Sequence, residues 1–300
     1  MQPSQQDTRV LVAGSVSPDH QLAAESTSRS VAGGGHAGRS AATLARLGTR
    51  PSLFSAVGDD QEDLELVTEL DQLGIDTSTL LTVPGARANQ VVIPTFSGRS
   101  FVLTSRDPAE RMGIEECRRL PPLRQFAAAL VCDPSATVIL WTLAAARAAR
   151  VPTVWKPTGL FANSPWFRSA AASADVLQLN ANQYSAAFGP DADPGPVRQL
   201  LGVACLVITA GHSGAVVVTE EGVGEFEGYE EELLDPGAAA DGFAAAFTAV
   251  IAVSAGVDLA TRAGCLAGTI LAAEEPLPDL GELLDRVLPD SKNVRRATRD

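Results

Sequence analysis

The run Leu234 to Phe247, LDPGAAADGFAAAF, sets a Pro-Gly turn and a row of small residues ahead of one carboxylate, Asp241. That order predicts a helix start with Asp241 in its first turn. Backbone N–H groups there lack intrahelical partners and the helix dipole favours negative charge, so the segment suits an anion. Asp241 can accept a proton from an attacking hydroxyl while those amides hold a phosphate. The same carboxylate can also do no more than complement the dipole of a buried helix.

Three further runs carry chemistry-bearing residues. Val31 to Gly48, VAGGGHAGRSAATLARLG, places Gly33, Gly34 and Gly35 before a helix, where missing side chains permit a tight turn or close approach to a ligand. The chain contains no GxxxxGK[ST], so this is not a P-loop. Val10 to Asp19 is a strand followed by Gly14 and then Ser17-Pro18-Asp19. An acid just beyond the carboxyl end of a first parallel strand stands where open α/β sheets bind ligands, and turns also favour aspartate. Thr209 to Gly214, TAGHSG, links two apolar runs, as a ligand loop or as a plain glycine-containing hairpin.

The elements that must position these residues alternate. Strand candidates are Val10 to Val16, Ser52 to Ala56, Gln90 to Phe96, Ser100 to Thr104, Ala128 to Cys132, Thr153 to Trp155, Val176 to Leu179, Cys205 to Thr209 and Ala215 to Thr219. Helical spacing appears at Ala41, Leu44, Ala45 and Leu47, at Leu66, Leu70 and Leu73, and at Phe243, Phe247 and Ile251. Strands alternating with such helices predict one α/β domain over 1–300, a mostly parallel sheet with helices on both faces.

Two stretches break that rhythm. Gln90 to Phe96 and Arg99 to Thr104 flank a Ser97-Gly98 turn, a hairpin signal, and Pro94 points to an edge position. Leu22 to Val31 is a second extended segment. Segments at about 20–32 and 88–106 therefore form a β-lid in this reading, as a gate over a reaction site or as an edge hairpin without a gating role. An exposed lid edge leaves a homodimer open.

A formal net charge of −13 opposes binding to phosphate backbones and anionic lipid, so neither nucleic acid nor a membrane is expected as a partner. The basic cluster Lys292 to Arg299 reads as a solvated, frayed end, and 290–300 as a flexible tail. No apolar run reaches the roughly 18 residues that span a bilayer. Met1 to Arg9 is polar and leads straight into a strand, which predicts no secretory signal. Cys117, Cys132, Cys205 and Cys265 form no CxxC or metal pattern, and three of the four sit in apolar segments and fit small core residues in a reducing, cytoplasmic setting.

The order of these pieces resembles the ribokinase/PfkB family of carbohydrate kinases from Val10 to about Pro276. GGGHAGRSAATLARLG is similar to the family's first signature, AVGDDQEDLELVTELDQLGID to its VGxDxxG segment, and LNANQYSAAFG to its NxxE segment. TAGHSG is similar to its TxGxxG nucleotide loop and DPGAAADGFAAAF to its DTxGAGDxF signature. The resemblance implies an ATP- and Mg2+-dependent kinase acting on a sugar, a nucleoside or a related small molecule. It implies Asp241 as catalytic base and Ala238, Ala239 and Ala240 as the anion hole. Asp19, Gly34 and Gly35 fall on sugar-binding positions, and Asn180, Thr209, Gly211 and Gly214 on nucleotide-binding ones. The β-lid matches the family's lid, which often also provides a dimer contact.

This sequence departs from the pattern at the expected site. The GAG of the anion hole is Ala238-Ala239-Ala240, which keeps the N–H donors but adds Cβ atoms and favours an earlier helix start. The NxxE glutamate is Gln183, which weakens the link to magnesium, a hard cation that prefers charged oxygen. The signature asparagine is Arg39, either a solvent-facing helix arginine or, with His36, a reader of an acidic or phosphorylated substrate. Asp63 replaces a glycine of VGxDxxG and Lys156 an aspartate after the central strand, both expected away from the chemistry. These departures keep open a second class of function, a family member that binds a sugar, nucleotide or partner without transferring phosphate.

Overall fold

The computed structural model describes residues 8–23, 26–30, 34–86, 91–96, 99–100, 108–132, 135–157, 164–228, 236–288 and 294–297. The chain opens with β1 (Arg9–Ala13), the hairpin β2 (Asp19–Ala23) and β3 (Ser26–Ser30), then α1 (Gly35–Arg46). There follow β4 (Arg50–Phe54), β5 (Ala56–Val57), α2 (Gln61–Gln72), β6 (Leu81–Thr82), β7 (Val91–Phe96), β8 (Arg99–Ser100) and α3 (Ile114–Cys117). The middle holds β9 (Ala128–Cys132), α4 (Ala136–Ala149), β10 (Thr153–Lys156), α5 (Phe167–Ala171), β11 (Val176–Asn180), α6 (Ala181–Phe188) and α7 (Pro194–Leu201). Last come β12 (Cys205–Thr209), β13 (Ala215–Val218), β14 (Val223–Phe226), α8 (Pro236–Ala252), α9 (Val257–Ala272), α10 (Leu280–Val287) and β15 (Val294–Ala297).

Nine strands form the main sheet in the order β15-β14-β13-β12-β11-β10-β9-β1-β4. From β4 to β12 neighbouring strands run parallel, and β13, β14 and β15 are added antiparallel. Alternation along each strand sends its apolar side chains to opposite faces of the sheet. Val10, Val12, Leu130, Cys132 and Val154 pack with residues of α1, α8, α9 and α10, while Val131, Trp155, Leu177 and Leu206 pack with residues of α4, α5 and α7 on the opposite face. Helix ends are set by local chemistry: Asp60, Ser135, Asp193 and Asp279 cap α2, α4, α7 and α10 through their side chains. Among the described residues no helix is long and apolar enough to cross a membrane.

A second sheet, β3-β2-β7-β8, stands beside the first at the positions expected for a lid. Residues 24–25, 31–33, 88–90, 97–98 and 101–106 of those segments, with the Ser97-Gly98 turn, lie outside the described residues. β7 is an interior strand rather than an edge. Pro94 is tolerated because the β7–β8 pairing covers only Thr95 and Phe96, so Pro94 pairs with Leu22 of β2 alone. The expectation of a frayed basic tail is also corrected. Val294–Ala297 is a strand whose backbone pairs with β14, Phe226↔Val294 to Val223↔Ala297. Residues 290–293 and 298–300 lie outside the described ones.

All four cysteines are buried and free. Burial pushes the thiols of Cys205 and Cys265 up to about 12, which leaves them as protonated packing groups.

Candidate active site

The carboxyl ends of the parallel strands converge on the start of α8. Gly14, just after β1, passes so close to β9 that an added Cβ would lie 1.9 Å from the Cys132 carbonyl oxygen. The chain then docks on α1: the Ser17 N–H donates to the Gly34 carbonyl at 3.2 Å, and the Ala37 N–H donates to the Ser15 carbonyl at 3.0 Å. Gly34 caps α1, and Gly35 follows at φ +73° with its backbone against Ser15. This clamp aims the first turns of α1 at the site, with His36 and Arg39 three residues apart on one face. Asp19 opens β2, and its side chain lies outside the described ones.

Asp241 is 1% exposed, and three side chains hold it. Lys156 Nζ donates to Oδ1 at 2.7 Å and Arg39 Nε to Oδ2 at 2.6 Å. His36 Nδ1 lies 3.0 and 3.2 Å from the two oxygens and 3.2 Å from Arg39 Nη2. Burial alone would raise the Asp241 pKa, but Lys156, His36 and Arg39 outweigh it and hold the carboxyl well below its ordinary value.

Two sequence expectations change here. Arg39 is only part-exposed, and rather than turning to solvent its guanidinium grips Asp241. Lys156, expected to stand apart, meets Asp241 instead. Its signal was present in β10, where period-two alternation puts Lys156 on the Val154 face, the one packed with α1 and α8 residues, at the carboxyl end of the strand. Asp63, the other residue expected away from the chemistry, is fully buried in the first turn of α2, its N–H donating to the Asp60 side chain at 2.9 Å.

The start of α8 differs as well. The helix begins at Pro236, so Asp241 is its sixth residue, in the second turn rather than the first. Regular bonding then points the N–H of Ala240 at the Pro236 carbonyl and that of Asp241 at the Gly237 carbonyl. Alanines in place of glycines favour this earlier winding. Ala238 sits in the first turn, and Ala239 and Ala240 face a cavity.

That cavity, of about 370 Å³, collects the four residues expected to bind nucleotide: Asn180 at the end of β11, Thr209 at the end of β12, and Gly211 and Gly214 in the following turn. Gly214 has φ +92°, and a Cβ there would lie 2.0 Å from the Phe226 carbonyl oxygen. The wall opposite was not singled out by sequence: Phe243 of α8 and Gly264, Cys265, Gly268 and Thr269 of α9. Small residues at the crossing of α8 and α9 were its only signal; a Cβ on Gly268 would come within 2.8 Å of the Ala239 carbonyl oxygen. Gln183 is committed elsewhere. It completes a capping box with Asn180, and its Nε2 donates to the Pro157 carbonyl at 2.9 Å. An amide bound in this way does not fit the role of a magnesium ligand, and the described residues hold no cluster of three or more His, Cys, Asp or Glu that could bind a metal.

The sequence profile described as pfkB family carbohydrate kinase matches residues 7–275. The chain belongs to this family. An ATP-dependent ribose-1-phosphate kinase from Halopiger xanaduensis is 27% identical over 287 residues, 89% of this chain and 93% of that protein. The Arabidopsis thaliana ribokinase complexed with ribose and ATP superposes with a TM-score of 0.80 at 17% identity, over 94% of this chain and 99% of that one. The Methanocaldococcus jannaschii nucleoside kinase superposes with a TM-score of 0.79 at 17% identity, over 93% and 97%. At such identities the structural matches establish the ribokinase-like fold of this pfkB-family kinase.

Proposed function

We propose that the chain transfers the γ-phosphoryl group of ATP to a hydroxyl of a sugar, nucleoside or related small molecule, with Asp241 as general base. The observation that carries this reading is the position of Asp241. It is buried in α8 directly after Ala239 and Ala240, which line the cavity shared by Asn180, Thr209, Gly211 and Gly214. ATP occupies that cavity, its phosphates directed along the start of α8, where the helix dipole at Ala238 to Ala240 favours negative charge. Gly34 and Gly35, packed against Ser15 and Ser17, fix the start of α1 and so hold His36 and Arg39 on the acceptor side. A hydroxyl there gives its proton to a carboxylate oxygen of Asp241 as it attacks phosphorus in line, and ADP leaves. Magnesium, if bound with the nucleotide, would lower the charge of its phosphates, and Gln183, already committed to Asn180 and Pro157, would contribute no ligand to it. The β2/β3/β7/β8 sheet serves as the lid, and its edge as a dimer contact.

Asp241→Asn tests the reading directly. ADP production in the presence of acceptor is expected to fall about 10²- to 10⁴-fold, with ATP affinity by calorimetry unchanged. Equal turnover in the variant removes Asp241 from the base role. The clamp of Lys156, Arg39 and His36 on Asp241 favours a second reading, a binding protein that has lost transfer. Ligand binding with no ADP production across sugars, nucleosides and their phosphates would select it.

A further inference from the structure

A base that must take a proton from a hydroxyl is here already occupied at both oxygens. Lys156 and Arg39 each hold one, at 2.7 and 2.6 Å, and His36 bridges them. We propose that the acceptor is a phosphate monoester whose own phosphate draws Arg39 and Lys156 off Asp241 and so frees the base for the acceptor hydroxyl. The proposal rests on the reading of Asp241 as base.

Three observations support it. The first is the chemistry of exchange. A neutral hydroxyl offers a cation a weaker hydrogen bond than a carboxylate does, so it cannot displace an ammonium and a guanidinium from Asp241. A phosphate dianion offers both cations an equivalent partner, and the planar guanidinium fork of Arg39 matches its oxygens. The second is placement. Arg39 and His36 come from α1 and Lys156 from β10, whereas the nucleotide cavity is lined from β11, β12, the turn after β12, α8 and α9. The cations therefore lie on the acceptor side of Asp241. The third is access. The side chains of His36 and Arg39 are 32% and 23% exposed, that of Lys156 8%, and that of Asp241 1%. An anion arriving from solvent meets His36 and Arg39 first and Lys156 last.

The step balances without a further reactant. The hydroxyl proton passes to the vacated Asp241 oxygen, the hydroxyl oxygen bonds to γ-phosphorus, and the bond to the bridging oxygen breaks as ADP leaves with its electron pair. Moving the cations onto the phosphate also lets Asp241 recover basicity at the moment it is needed.

The experiment measures ADP production with ribose, other pentoses, hexoses and nucleosides, each as the neutral compound and as its monophosphate, and titrates inorganic phosphate by calorimetry. A monophosphate is expected to exceed its neutral parent in kcat/KM by roughly a hundredfold or more, the worth of two charge-assisted contacts. Inorganic phosphate is expected to bind, and to stimulate turnover of the neutral parent. Arg39→Gln and Lys156→Met should raise KM for the monophosphate, abolish the phosphate stimulation and move the acid limb of kcat/KM to higher pH, because Asp241 loses a neighbouring cation. A neutral compound used within tenfold of its monophosphate, or no binding of inorganic phosphate and no monophosphate accepted, overturns the proposal. So does an equal loss with both acceptors together with a raised KM for ATP, which would assign the cations to the transferred phosphoryl group. Turnover retained in Asp241→Asn would instead remove the base reading beneath it.

Discussion

The two halves of the candidate site are built from different materials. The half proposed for the nucleotide is neutral and made by close approach: Gly211, Gly214, Gly264 and Gly268 line its cavity, and a Cβ on Gly214, Gly264 or Gly268 would press on Phe226, Phe243 or Ala239. The acceptor half is charged and nearly closed: one buried carboxylate faces an ammonium, a guanidinium and an imidazole. Departures from the family pattern fall in both halves: Gln183, Ala239 and Ala240 in the first, Arg39 and Lys156 in the second. In the proposed reading the neutral half takes the nucleotide, and the charged half is where this chain adds cations around its carboxylate.

Removing the charge at the centre should separate the halves most strongly. Asp241→Asn leaves Lys156 and Arg39 facing each other without a counter-charge, so beyond its loss of turnover a destabilisation of about 3–5 kcal/mol is expected in urea melts. An ATP affinity lowered in parallel would show that the halves are not independent. Gly268→Val should act in the opposite sense. Its side chain presses on the Ala239 carbonyl, so a stability loss of about 1–3 kcal/mol and a raised KM for ATP are expected, with acceptor KM unchanged.

Acid should expose the charged half. The folded pKa of Asp241 lies below its unfolded value, so its contribution to stability is present above the unfolded value, near 3.9, and is lost as pH falls through the folded one. In Lys156→Met the folded pKa rises towards the unfolded one, so the stability difference between pH 7 and pH 3 should shrink, which urea melts at the two pH values would read. The smallest effect is expected at Gln183→Glu. The new carboxylate still caps α6 but loses the donor to the Pro157 carbonyl, a cost of about 1 kcal/mol in thermal melts. A marked fall in KM for ATP with magnesium would show that the family's metal role returns with the carboxylate.

Much of the fold was legible because its signals are local. Ala128–Cys132 and Cys205–Thr209 are continuous apolar runs, and their observed bounds match the expected ones. Strands without such a run were missed: Val223–Phe226 contains Gly224 and Glu225, Val294–Ala297 contains Arg295 and Arg296, and each exists by pairing onto a sheet edge. α8 starts at Pro236 because proline suits a first helical position and three alanines favour helix, although the same Pro-Gly pair is a turn signal.

Sequence alone determined the alternation of strands and helices, the ordered segments that mark the family, and Asp241 as the carboxylate to watch. Periodicity and turn chemistry act over a few residues, so they can be read in one dimension. Tertiary structure decided what surrounds Asp241. Lys156 is 85 residues away in sequence and Arg39 is 202. Such a partnership depends on which strand ends and helix starts meet at the carboxyl edge of the sheet, and on burial there, which strengthens each charge on its neighbours.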